Sequence, residues 1–133
     1  VDPAAQGKVY PPVRFEIDPE RAAALRAIFE GDDAGDSPGV PPTYLTAAEF
    51  AIFPDIVADP ALDLDLTRVL HGGQEYEISR PLQEGEVLTA TGRIESIRQR
   101  GGNGFLVLVT EIHDSEGALV ATGRSTMIER APS

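Results

Sequence analysis

The sequence predicts an α+β fold, a single antiparallel sheet of about five strands wrapped around a buried central helix. Three observations predict it. Val40 to Phe53 opens on the proline pair Pro41-Pro42 and carries Leu45, Ala48 and Phe53, with Tyr44, Ala51 and Ile52, and Glu49 as its only charge. A helix apolar nearly all round is normally buried. Beyond Leu70 the chain alternates with period two between turn clusters, the habit of long strands. Gly92 and Gly123 fall inside those strands, where a close approach of helix or ligand explains a missing side chain.

In chain order, Val1 to Pro12 reads as extended, with Val9 and Tyr10 docking on the core. Val13, Phe15 and Ile17 alternate with Arg14, Glu16 and Asp18, a half-buried strand. Asp18-Pro19-Glu20 then starts a helix: an N-cap, a proline at the first helical position and an acidic first turn. Ala22, Leu25, Ile28 and Phe29 form its apolar stripe, and Gly31 stops it. Gly31 to Gly39 is a loop by composition. Its aspartates lack the spacing of a Ca²⁺ loop, so they read as solvated. Pro54 interrupts the central helix, and Ile56, Val57, Leu62, Leu64 and Leu66 turn toward the core.

Gln74, Tyr76 and Ile78 alternate with Glu75, Glu77 and Ser79 in a strand ended by Pro81. Val87 to Ile97 is a long strand with Leu88, Ala90, Gly92 and Ile94 on one face. Arg100 to Gly104 is a hairpin loop. Phe105 to Val109, apolar on both faces, is a central strand. Asp114 to Gly117 is a turn, and Leu119 to Ile128 the last strand. A five-stranded sheet of this kind keeps an open edge, and an open edge invites pairing, so at least a dimer is expected.

The 133 residues form one domain, 1–133, with 41% apolar content. Eleven Lys and Arg against 22 Asp and Glu give a net charge of -11, which argues against nucleic acid and against an anionic membrane surface. Arg93, Arg98, Arg100 and Arg124 read as solvated strand-face arginines rather than a phosphate site. There is no cysteine, hence no disulfide, thiolate metal site or Cys nucleophile, in keeping with a cytoplasmic setting. No metal ligand set is read. No apolar run reaches membrane-span length, and no leader opens the chain.

The chain resembles the MaoC-like hot-dog dehydratases and hydratases, in particular their N-terminal-type domain. The resemblance rests on Asp32 after the first helix, Val40-Pro41-Pro42-Thr43-Tyr44 and Val69-Leu70-His71-Gly72-Gly73-Gln74. Ser79-Arg80-Pro81-Leu82-Gln83-Glu84-Gly85-Glu86 and Leu88-Thr89-Ala90-Thr91-Gly92-Arg93 complete it. It implies a hot-dog fold dimerising through sheet edges. It also implies a substrate carried as a thioester of coenzyme A or acyl carrier protein, with no further cofactor. It places thioester-polarising N–H groups near Thr43 and Tyr44, at the central helix's N-terminus. The acyl chain would run along that helix, with Gly92 or Gly123 leaving room.

The family's acid–base pair is an Asp followed five positions later by a His. Here Asp32 is followed at that distance by Ser37, Asp33 by Pro38 and Asp36 by Pro41, and no His precedes His71. The leading expectation is therefore an acyl-thioester-binding subunit that lacks the pair. It would supply a substrate tunnel to a dyad-bearing hot-dog partner in an (R)-3-hydroxyacyl-thioester dehydratase or enoyl hydratase. The alternatives are a homodimeric hydratase or thioesterase using His71 or Glu49, and a non-enzymatic acyl-binding module. The blander readings are a tolerated strand-start histidine for His71, a solvated or capping charge for Glu49, and a core ring for Tyr44. His113 reads as a turn histidine, and Glu75 and Glu77 as surface.

Overall fold

A computed structural model describes residues 1–30 and 40–133. After a 3-10 turn at Pro3–Ala5 come β1 (Val13–Glu16), α1 (Pro19–Glu30), a 3-10 turn at Pro42–Tyr44 and α2 (Leu45–Val57). A further 3-10 turn, Leu66–Arg68, leads into β2 (Val69–Ile78), β3 (Val87–Arg100), β4 (Asn103–His113) and β5 (Leu119–Glu129). The strands form one five-stranded antiparallel sheet in the order β1-β3-β4-β5-β2. β2, ten residues long, is an open edge, and β4 lies at the centre as its two-faced apolar pattern predicts.

Local chemistry explains the joints. Asp18 Oδ1 accepts from the Glu20 N–H at 3.0 Å, the N-cap bond the sequence predicts for α1. Gly101 and Gly102, at φ 60° and 80°, form the two-residue turn between β3 and β4, where both central positions need positive φ. β2 and β3 each carry one surplus residue, as does β5 at Val120, opposite the step from Ile112 to His113. Between His71 and Gly73 the register of β2 against β5 shifts, and between Ile94 and Ser96 that of β3 against β4. The second shift explains why Ile97, rather than Ser96, joins Ile94 in the core.

The core lies between α2 and the sheet. Leu45, Ala48, Ile52 and Ile56 form the buried stripe of α2 and meet Leu88, Ala90, Ile94, Leu106 and Ile112. Each fully buried Leu or Ile contributes about 1.5–3 kcal/mol of burial. Gly92, Thr110, Gly123 and Tyr76 are register partners in one row across β3, β4, β5 and β2, so two positions without side chains flank Thr110.

Several expectations need correction. α2 is not sheathed on all sides: Phe50 is 65% exposed and packs edge-on against Phe53. Pro54 does not end the helix, which continues to Val57. It sits exposed in the last turns, where the N–H it lacks would have met the carbonyl of the equally exposed Phe50, a group solvent can satisfy. On α1, Ala22 is buried but Ile28 is 77% exposed, so the stripe does not extend that far. Tyr10 docks on the core with its hydroxyl 2.8 Å from Asp59 Oδ2, whereas Val9 bridges Arg93 and stays exposed, as does Leu66. The stop at Gly31, the acidic loop and the readings on Asp32, Asp33, Asp36, Ser37 and Pro38 lie outside the described residues.

Candidate functional site

The site grows from the one charge on α2. Glu49 lies one position past Ala48 on the helix, so it sits beside the buried stripe, over β5 and β2. A Cβ at Gly123 would collide with Glu49 Oε1 and lie 3.2 Å from Tyr76 Cε1, so the glycine is what admits the carboxylate. Three side chains then converge on it. Gln74 Nε2 donates to Oε1 at 2.8 Å, Tyr76 OH donates to Oε2 at 3.2 Å, and Ser125 Oγ lies 3.3 Å from Oε1. Ser125 Oγ is closer, at 2.6 Å, to Gln74 Oε1, and Thr46 Oγ1 lies 2.9 Å from Tyr76 OH. A serine hydroxyl has one hydrogen, and the shorter contact takes it. The result is a chain of bonds tying α2 to β2 and β5.

Burial pushes the Glu49 carboxyl above its usual range. The bonds from Gln74 and Tyr76, and the nearby His71, pull the other way without cancelling it. Burial likewise raises the Tyr76 phenol, helped by the Glu49 charge and opposed by the bond to Thr46.

This cluster forms the polar part of a cleft of about 360 Å³. Thr46, Glu49, His71, Gln74 and Ser125 line that part, and Phe50, Phe53, Val69, Leu108 and Met127 line the apolar remainder. Exposed Phe50 and His71 stand at its rim, beside the open edge of β2. His71 reaches the cleft because of the surplus residue in β2: strict alternation back from Gln74 would turn it outward.

Of the residues singled out from sequence, the structure thus brings Glu49 and His71 to one cleft. Glu49 is neither a cap nor a solvated charge; it is half-buried and bonded to β2 through Gln74 and Tyr76, with Ser125 of the neighbouring β5 at 3.3 Å. Thr43, Tyr44 and Gly92 are not among the cleft's lining. The Tyr44 N–H donates to Pro41 O at 2.9 Å and is not free to polarise a carbonyl, while the buried Tyr44 hydroxyl accepts from the Asp18 N–H at 3.1 Å. Thr43 is exposed in the same 3-10 turn. At Gly92 there is no room for an acyl chain, since an added Cβ would lie 2.5 Å from Ile52 Cδ1. Glu75 and Glu77 are exposed, and Arg124 is held by Glu95 at 2.9 and 3.1 Å on the sheet's outer face.

Thr46, Gln74, Tyr76 and Ser125 escaped the sequence reading. The available signal was polarity on an inward face: Gln74 and Tyr76 share the face opposite Glu75 and Glu77, and Ser125 lies two residues from Gly123. Among the described residues no group of three or more His, Cys, Asp or Glu is placed to hold a metal ion. No helix among them is long and apolar enough to cross a membrane.

A five-stranded antiparallel sheet closed over one long helix, with a cleft along that helix, defines a hot-dog domain. Its backbone matches a MaoC-like dehydratase with TM-score 0.80 at 20% identity, over 96% of this chain and 43% of that one. It matches the C-terminally truncated HadBC (3R-hydroxyacyl-ACP dehydratase) complex of Mycobacterium tuberculosis with TM-score 0.74 at 19% identity, over 93% and 96% of the two chains. At these identities the likeness carries the fold. Residues 32–123 match the family described as FAS1-like, dehydratase domain region. A UPF0336 protein of Streptomyces avermitilis is 33% identical, covering 98% of this chain and 96% of its own length. One from Saccharopolyspora erythraea is also 33% identical, covering 98% and 92%. The chain belongs to this FAS1-like dehydratase-domain family, and the MaoC-like hot-dog resemblance read from the sequence is borne out.

Proposed function

We propose that the chain is the acyl-thioester-binding subunit of a cytoplasmic (R)-3-hydroxyacyl-thioester dehydratase or enoyl hydratase. A hot-dog partner carrying the Asp and His would pair with the open edge of β2. The observation that carries this reading is the cleft itself. Phe50, Phe53, Val69, Leu108 and Met127 offer an alkyl chain an apolar wall beside an unpaired strand edge. No His precedes His71 in the sequence, so the family's acid–base pair has no counterpart in the segment that carries it. The likeness to two complexes of Mycobacterium tuberculosis, HadBC and ChsH1-ChsH2, supports a heteromeric assembly. The substrate arrives as a coenzyme A or carrier-protein thioester and no other cofactor is used.

The test is an enoyl-thioester hydration assay on the chain alone and after co-purification with a dyad-bearing hot-dog protein. The expected outcome is no turnover alone and turnover in the pair. One observation favours a second reading: Glu49 and His71 share the cleft, and a half-buried carboxyl beside an imidazole can act as a general acid–base couple. A homodimeric hydratase or thioesterase built on them would turn over unaided and lose that activity in Glu49→Gln and His71→Ala. Unaided turnover with that loss replaces the first reading with the second.

A further inference from the structure

We infer that the Glu49 end of the cleft reads a hydroxyl group on the acyl chain, at a carbon beyond the third, and favours such thioesters over plain alkyl ones. The inference rests on the reading of the chain as a thioester-binding subunit and names the substrate class of that same cleft.

A tunnel for a bare alkyl chain has no use for a carboxylate. Covering a polar group with methylene costs free energy unless a hydrogen bond replaces the one to water. Here five of the ten lining side chains are polar or ionisable, and they are built around Glu49 rather than scattered. An ionised carboxylate offers about four acceptor positions. Gln74 Nε2 takes one at 2.8 Å and Tyr76 OH another at 3.2 Å. Ser125 spends its single hydrogen on Gln74 Oε1 at 2.6 Å. Acceptor capacity therefore remains on the carboxylate, on a residue that lines the cleft. Solvent meets it while the cleft is open, and a methylene chain does not.

The polarity of that capacity fixes the ligand group. Glu49 is surrounded by donors and itself accepts, so the chain must bring a donor. A hydroxyl does so; a ketone or ether oxygen at the same carbon does not. The dehydratase reading assigns the hydroxyl on the third carbon to the partner's acid–base pair, so the hydroxyl at Glu49 lies farther along. The phenyl rings of Phe50 and Phe53 and the side chains of Val69, Leu108 and Met127 hold the methylene on either side.

The experiment is calorimetric titration of the purified chain with dodecanoyl-coenzyme A thioesters. The set comprises the unsubstituted chain, isomers with one hydroxyl at the third carbon or at successive later carbons, the matching keto compounds, and coenzyme A alone. One later-carbon hydroxyl isomer should bind about tenfold or more tighter than the unsubstituted chain, the discrimination of a site built around a hydroxyl. Its keto counterpart should gain nothing, and Glu49→Leu should abolish the preference or reverse it. Equal affinity across the set, a keto gain matching the hydroxyl gain, or a preference surviving Glu49→Leu would overturn the inference. So would a preference for the third carbon or Glu49-dependent binding of coenzyme A alone. The wild-type isomer series needs no variant, so poor folding of Glu49→Leu leaves it decisive. If no thioester binds, the thioester-binding reading falls too; if all bind alike, that reading stands and only the hydroxyl subsite falls.

Discussion

Gly92 and Gly123 occupy the same row of the sheet, one on each side of Thr110, under the same helix, and they do opposite things. Gly92 makes room for Ile52 and Ile56, so the space of its missing side chain is closed by hydrocarbon. Gly123 makes room for the Glu49 carboxylate, whose space is closed by polar groups from Gln74, Tyr76 and Ser125. One glycine seats the helix; the other admits a charge. Ile52 and Glu49 are three residues apart, so a single turn of α2 passes from core to cleft. An apolar helix can thus be read correctly as the centre of the fold while its one charge serves the site.

The hydrocarbon seat at Gly92 should show the largest effect. Ile52→Ala removes a fully buried side chain above a position that cannot fill the gap, and should cost about 2–5 kcal/mol in chemical denaturation. A loss below that range would mean that the seat at Gly92 collapses onto the cavity. The two glycines themselves provide the next contrast. Gly92→Ala crowds Ile52 and should cost about 1–3 kcal/mol while leaving thioester binding at the cleft intact. Gly123→Ala displaces Glu49, should cost about 1 kcal/mol through its hydrogen bonds, and should abolish the hydroxyl preference. Identical profiles for the two variants would erase the distinction.

The smallest effect lies in pH. Burial holds the Glu49 carboxyl above its unfolded value, so the folded state binds that proton more tightly. Its contribution to stability is present at low pH and fades as pH rises from the ordinary glutamate range through the raised folded value. Glu86, lowered chiefly by its bonds to Arg80, and Asp114, lowered chiefly by the Ala118 N–H, act in the opposite sense. The readout is therefore the difference between wild type and Glu49→Gln in urea midpoints across that range. It should shrink or change sign as pH rises; a constant difference would show that the carboxyl is unperturbed.

Much of the architecture was legible because it is written locally. Asp18-Pro19-Glu20 marks a helix start by side-chain chemistry three residues wide, and Gly101-Gly102 marks a hairpin by backbone freedom alone. The two strand glycines were legible as close approaches, though not what approached them. The site was harder because its parts converge only through long-range register. Gln74 and Ser125 lie 25 and 76 residues from Glu49, and nothing near any of them announces the other two. The resemblance to MaoC-like proteins pointed to the helix N-terminus at Thr43 and Tyr44, yet the Tyr44 N–H is taken by Pro41. Pro54 misled for the opposite reason: a breaker signal is local, but an exposed last turn tolerates it.

The surplus residue in β2 decides more than register. Counting back from Gln74, one fewer position between it and His71 would swap the walls that Val69 and His71 occupy, sending imidazole and isopropyl out to solvent while Gln74 and Tyr76 stayed where they are. Parity, not composition, is what hands this pocket its only ring nitrogen. Two chains alike in nearly every letter can therefore differ in chemistry by a length change of one.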